Sequence, residues 1–355
     1  MSQVSRLRLD RIREPDGRRT TGRAFRLVYP SLVLFAGAVV AAAATTAVLL
    51  EPAPPGVPVP GPLVDHGLAP ARALLHVGAS AAVGFALLPI LASPAPETPV
   101  NALYRRSLGL SAVASSFVAL CAGVCVLLGA AELAVEAMVT TSSIDAYLAV
   151  SRTGQALAAM GALALMAAVA ALAGRDLPRF LPRELCLLLS ATPLLPLTLT
   201  GHGESSALHG LMMLSRGGHV VAAALWVGGL LATVTLLARR HTELAGALPR
   251  FSVIASCSVL VVALTGVLDA VVLLLGLPGG LDTDTLLSPY VLLCAAKLGC
   301  VGLLLALASV IRFRLLPQIR AGRRTAVLAW TTTELAVMGV LFGLAAVLSR
   351  TPVAG

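Results

Sequence analysis

Six residues of one apolar run, His209, Met212, Met213, Arg216, His219 and Trp226, fall within about 140° of one face if the run is a helix. That face presents two imidazoles and two thioethers. His202, in the preceding connection, reaches the same mouth. Imidazole with thioether suits Cu(I) and Cu(II), and suits Mg or Ca poorly. The spacing therefore points to a soft-metal site drawn from His202, His209, Met212, Met213 and His219. The plain alternative is a polar stripe that only packs against neighbouring helices.

Other polar residues also interrupt apolar runs: His76, Arg216, Asp269, Lys297 and Glu334. An ionisable group in hydrocarbon costs at least a few kcal/mol, so such groups turn inward, pair, or do chemistry. By helical rise, Arg216 sits about 10 Å into the membrane, where Asp269 is within reach of a pair. Lys297 lies about 12 Å from the outer end of its run and Glu334 about 14 Å from the inner end of its own. In a core about 30 Å thick these depths are similar, so a Lys297–Glu334 pair is expected. His76 and His219 on facing helices are also a candidate haem pair, with arginine holding the propionates.

The elements that must position these groups are membrane helices. The chain has 355 residues, 57% hydrophobic and 12% charged, against about 25% charged in a soluble domain. Nine apolar runs are long enough, or nearly so, to cross a bilayer: Leu27–Leu50, Leu68–Ala92, Ser107–Ala130, Tyr147–Ala173, Glu184–Thr200, His209–Ala238, Phe251–Leu277, Pro289–Ile311 and Thr325–Ser349. The fifth is the shortest, and Pro193 and Pro196 interrupt it. Alternating strand patterns are absent, which leaves helices as the spanning structure. The fold class is all-α, a polytopic bundle of about nine transmembrane helices.

Charge placement fixes the orientation. With the N-terminus inside, Arg350 is outside, Arg72, Arg152, Arg216 and Lys297 fall within spans, and every other basic residue is cytoplasmic. This is the positive-inside pattern, N-inside and C-outside. The net charge of +9 is then a topology signal, and nucleic acid is excluded as a partner. Membrane lipid is the surrounding partner, and the plasma (inner) membrane is the expected location. Outer loops carry Glu51, Asp65, Glu132, Glu136, Asp145, Glu204, Asp282 and Asp284, which would raise the local concentration of cations.

Three regions are expected: an Arg-rich cytoplasmic tail at 1–26, a four-helix membrane region at 27–183, and a five-helix membrane domain at 184–355. The first run, after its Arg-rich tail, reads as an uncleaved signal anchor. All six cysteines lie within runs. Cys121 and Cys125, one turn apart, could ligate Cu(I), though cysteine here also serves as a small apolar packing residue. Gly228-Gly229 permits close helix approach, and Thr265-Gly266 is read the same way. No phosphate-binding loop, nucleophile elbow or zinc-protease motif occurs, so no enzyme is expected.

The run from His219 to Trp226-Val-Gly228-Gly229 resembles the signature of the copper resistance D (CopD) membrane domain, a His seven residues before Trp-x-Gly-Gly. Further landmarks keep that family's order: Thr200-Gly201-His202, Arg250-Phe251-Ser252, Thr265-Gly266, Pro289-Tyr290 followed by Lys297, Glu334, and the tail Ser349–Pro352. Val291 stands where Gly usually follows the Tyr, and Ile311-Arg312 replaces the usual Asn-Arg. The resemblance covers roughly 200–352. It implies copper homeostasis at the inner membrane, copper uptake, and a periplasmic copper-binding partner, with His202, His219, Trp226, Lys297 and Glu334 as the matching positions. Two other readings share these residues: a haem-binding or quinol redox protein, and a copper delivery factor for an oxidase.

The orientation has a direct check. A phosphatase reporter active only outside the cytoplasm should be active when fused after Ala130 and silent when fused after Arg183. The reverse pattern would invert the assignment.

Overall fold

The structure, a computed structural model, describes residues 17–50, 60–92, 102–134, 139–199, 209–276, 287–315, 317 and 327–351. Its helices are α1 Gly17–Leu49, α2 Pro62–Ala92, α3 Ala102–Ala134, α4 Thr141–Val150, α5 Arg152–Asp176, α6 Arg183–Ala191, α7 His209–Leu237, α8 His241–Gly276, α9 Pro289–Val310 and α10 Val327–Leu348. Among the described residues there is no strand. Eight of these helices are long and apolar enough to cross a membrane.

The fifth of the nine expected spans is not among them. After α6 the chain runs through two 3-10 turns, Thr192–Leu194 and Pro196–Leu199. The cause is Pro193 and Pro196, which lack the N–H that an α-helix requires. The carbonyl freed by Pro193, that of Leu189, accepts from Thr192 Oγ1 at 2.8 Å. The carbonyl freed by Pro196, that of Thr192, accepts from the Leu195 N–H at 3.1 Å. This segment starts beside the end of α2, where Arg183 donates to the Pro89 carbonyl at 3.3 Å. By Thr198 it lies beside Gly217 of α7. It therefore traverses the bundle without being a continuous helix.

The fourth run is also shorter than the sequence indicates. Ser151 closes α4 and caps α5, its Oγ accepting from the Gly154 N–H at 3.1 Å. Tyr147 and Val150 thus belong to a separate short helix, and Arg152 opens the span rather than lying within it.

Helix α2 is the axis of the bundle and its most enclosed span. Pro89 frees the Phe85 carbonyl, and Ser107 of α3 donates to it at 2.6 Å. Ser111, one turn on, donates to the Ala82 carbonyl at 2.9 Å. At the C-terminal end of α2 the Leu91 carbonyl accepts from Arg250 at 2.9 Å. Orphan carbonyls at a helix C-terminus favour this cationic cap.

Glycines set the closest contacts. A Cβ on Gly84 would meet the Gly228 backbone, and one on Gly228 would strike the Ser80 carbonyl. Helices α2 and α7 therefore cross backbone to backbone and run parallel. Gly229 makes room for the ring of Phe251 on α8. Helices α1 and α10 also run parallel, Gly37 and Gly339 facing each other and Gly343 meeting Ala38. Parallel α1 and α10 place the start of α1 and the end of α10 on opposite sides of the bundle, in keeping with the charges. Gly266 behaves otherwise: a Cβ there would meet nothing within 4 Å, so this glycine does not make the close helix approach expected of it.

Two glycine substitutions separate these roles. Gly228→Val should lower the stability to unfolding in detergent by at least about 2 kcal/mol, because the added atoms force the α2 and α7 backbones away from each other. Gly266→Ala should change it by less than about 0.5 kcal/mol.

Candidate metal path between helices 7, 8 and 9

Because Gly228 faces α2, the opposite side of α7 is turned elsewhere. His219 lies nine residues earlier, about 180° around the helix. There it meets α8: His219 Nδ1 lies 2.8 Å from Thr265 Oγ1. One turn outward, Ser215 Oγ donates to Asp269 Oδ1 at 3.4 Å. The helices are antiparallel, so these two bonds are successive rungs of one ladder.

Helix α9 supplies the third wall. Lys297 lies close enough to act electrostatically on His219 and on Asp269. Arg216 acts on Asp269 and on Tyr290, at the outer end of α9. Cys294 stands one turn from both Tyr290 and Lys297 and acts on each. Among the described residues α8 packs along α7 and α9 along α10, while α9 packs along neither α8 nor α7. Helices α8 and α9 are tied on the inner side by Arg312, in the π-helical turn Ile311–Leu315 that follows α9, which donates to Ser256 Oγ at 2.6 Å. The polar residues thus line a cleft between α7, α8 and α9 on the outer side of that tie.

The residues singled out from the sequence are distributed as follows. Met212 and Met213 are half-buried on the first turn of α7, with half-buried Arg216 and His219 below them. His209 begins α7, but its side chain lies outside the described residues, as does all of His202. Trp226 is buried in the core with Leu230, Leu231 and Phe251, so its role is packing. Asp269 and Lys297 belong to the cleft. Among the described residues no three His, Cys, Asp or Glu converge as a preformed metal site.

Two expected pairs are not formed. Glu334 is buried in α10, next to Leu335 in the α1–α10 core, and no charged group among the described residues acts on it. Lys297 instead faces Asp269 and Cys294. Similar depth is not enough, because the rotation of each helix decides which groups meet. His76 and His219 also diverge. His76 is on α2 beside Arg72, whereas His219 is on the face of α7 turned from α2, so they do not form a haem pair. Cys121 and Cys125 are buried among Leu75, Val118 and Met160, a packing position. Thr265 and Ser215 were not legible as site residues. The available signal was their spacing: Ser215 and His219 are four apart, as are Thr265 and Asp269.

Comparison with protein families agrees with this architecture. The family described as "Copper resistance protein D" matches residues 245–348, and its "Copper resistance protein D-like, N-terminal domain" matches residues 63–212. The chain belongs to the copper resistance protein D family. Its first half thus also follows the family's pattern, beyond the resemblance read over 200–352. Residues 213–244 lie between the two matches, so the cleft takes α8 and α9 from one matched region and His219 from the interval. No curated protein matches, and no solved structure matches. As a copper resistance protein D family member, the chain is a multi-pass membrane protein of copper resistance and transport.

The charge geometry is testable by double-mutant cycles. Lys297→Met with Glu334→Gln should show a coupling below about 0.5 kcal/mol in chemical unfolding, as residues that do not interact are additive. Lys297→Met with Asp269→Asn should exceed that value.

Proposed function

We propose that this protein carries copper inward across the plasma membrane, with His219 as the ligand inside the bilayer. The observation that carries this reading is the α7–α8 ladder, which holds an imidazole in a polar cleft within the membrane. Met212 and Met213 lie on the outer approach to that imidazole, and Cys294 lies on the facing helix. These are neutral or soft donors, the set that favours Cu(I) over harder cations.

The charges of the cleft support the same selection. Arg216 and Lys297 set two basic groups against one carboxyl, Asp269. Such a site repels an ion attracted by charge alone, so a cation enters only through bonds to nitrogen or sulfur. His202 and His209 are assigned to the outer mouth, where a periplasmic copper-binding protein would deliver its ion. The acidic outer loops are the receiving surface.

The experiment is total cell copper by elemental analysis, at fixed external copper, in cells expressing the protein against vector controls. Expression should raise cell copper, and His219→Ala should remove most of the rise while the protein remains in the membrane. No rise, or a rise that survives His219→Ala, would overturn the assignment.

A further inference from the structure

The hydrogen bonds around Thr265 determine more than the position of His219. A threonine hydroxyl has one hydrogen and two lone pairs. Thr265 Oγ1 lies 2.7 Å from the Val261 carbonyl oxygen and 3.2 Å from that of Val262. A carbonyl oxygen only accepts, and that of Val261 lies closer to Oγ1 than His219 Nδ1 does, at 2.8 Å. The His219 ring also hydrogen-bonds to the Val262 carbonyl of the same turn, which again only accepts. With the threonine hydrogen on Val261, the hydrogen between His219 and Thr265 comes from the ring, as Nδ1–H. A neutral imidazole carries one N–H, so its Nε2 is left with the free lone pair.

We infer that Thr265 is a positioning residue that fixes the Nδ1–H tautomer of His219 and so presents Nε2 as the open ligand atom. The Ser215–Asp269 bond one turn outward holds α7 and α8 in the register this requires. A metal-binding histidine is commonly oriented in this way, its second nitrogen donating to a fixed acceptor. That copper is what binds at Nε2 rests on the function proposed above; the tautomer does not.

The test uses the full-length protein in lipid bilayers, metal-free, with histidine labelled by nitrogen-15. The His219 resonances are identified by their loss in His219→Ala. The wild type should show His219 protonated at Nδ1 and bare at Nε2. Thr265→Ser should keep that pattern, and Thr265→Val should lose it for a mixture or for the Nε2–H form. A wild-type ring protonated at Nε2, or a Thr265→Val ring unchanged, would overturn the inference, and the wild-type spectrum can do so even if a variant fails to fold. A second readout, Cu(I) affinity in competition with a chelator, addresses the ligand. Thr265→Val should weaken it about 10–100-fold, and Thr265→Ser should restore it. The expected tautomer together with a Cu(I) affinity unmoved by His219→Ala would sustain the role of Thr265 and defeat the copper reading.

Discussion

The backbone contact between Gly84 and Gly228 is the constraint on which the rest of the bundle depends. In lipid there is no hydrophobic gain from bringing helices together, so association comes from close packing and from hydrogen bonds between helices. Two glycines facing each other let α2 and α7 approach to the limit set by their main chains. Once that face of α7 is occupied, its opposite face must look outward to α8. His219 is on that face because it is two and a half turns from Gly228. The position of the polar ladder thus follows from a contact that contains no polar side chain.

Around this contact, α2 serves as a shared scaffold. Its Pro89 would leave a bare carbonyl in the membrane, and the hydroxyl of Ser107 satisfies it. Its C-terminal carbonyls are covered by arginines from the start of α6 and from α8. These bonds connect the N-terminal helices to the helices that carry the cleft. At the outer end Arg350 is paired with Glu132, which fastens the last helix to α3. The axis of the bundle comes from the first half of the chain and the ladder from the second.

The cleft itself is a place where packing stops. Helices α8 and α9 expose much of their surface and turn Thr265, Asp269, Cys294 and Lys297 toward the space between them and α7. Polar groups in a membrane are costly unless they find one another. Here some do, as in the two rungs of the ladder, while among the described residues Asp269 balances the basic groups through space. An arrangement left partly open in this way is suited to receiving a ligand that brings its own bonds.

The amino-acid sequence already carried the class of the protein, most of its spans and an expected orientation, because bilayer thickness and the distribution of arginine are one-dimensional constraints. Length, apolarity and charge can be counted along the chain without knowing what touches what. It also marked His219, Asp269 and Lys297 as costly residues that need a reason. It did not decide their partners. Lys297 and Glu334 match in depth and yet face different neighbours, and His76 and His219 share a level on helices that turn them apart. Thr265, read as a packing residue beside Gly266, became the partner of His219 because the rotation of α8 about its axis put the hydroxyl inward and the glycine outward. Rotation is set by the summed packing of all the helices, with α2 and α7 fixing the rest, and that information exists only in the tertiary structure.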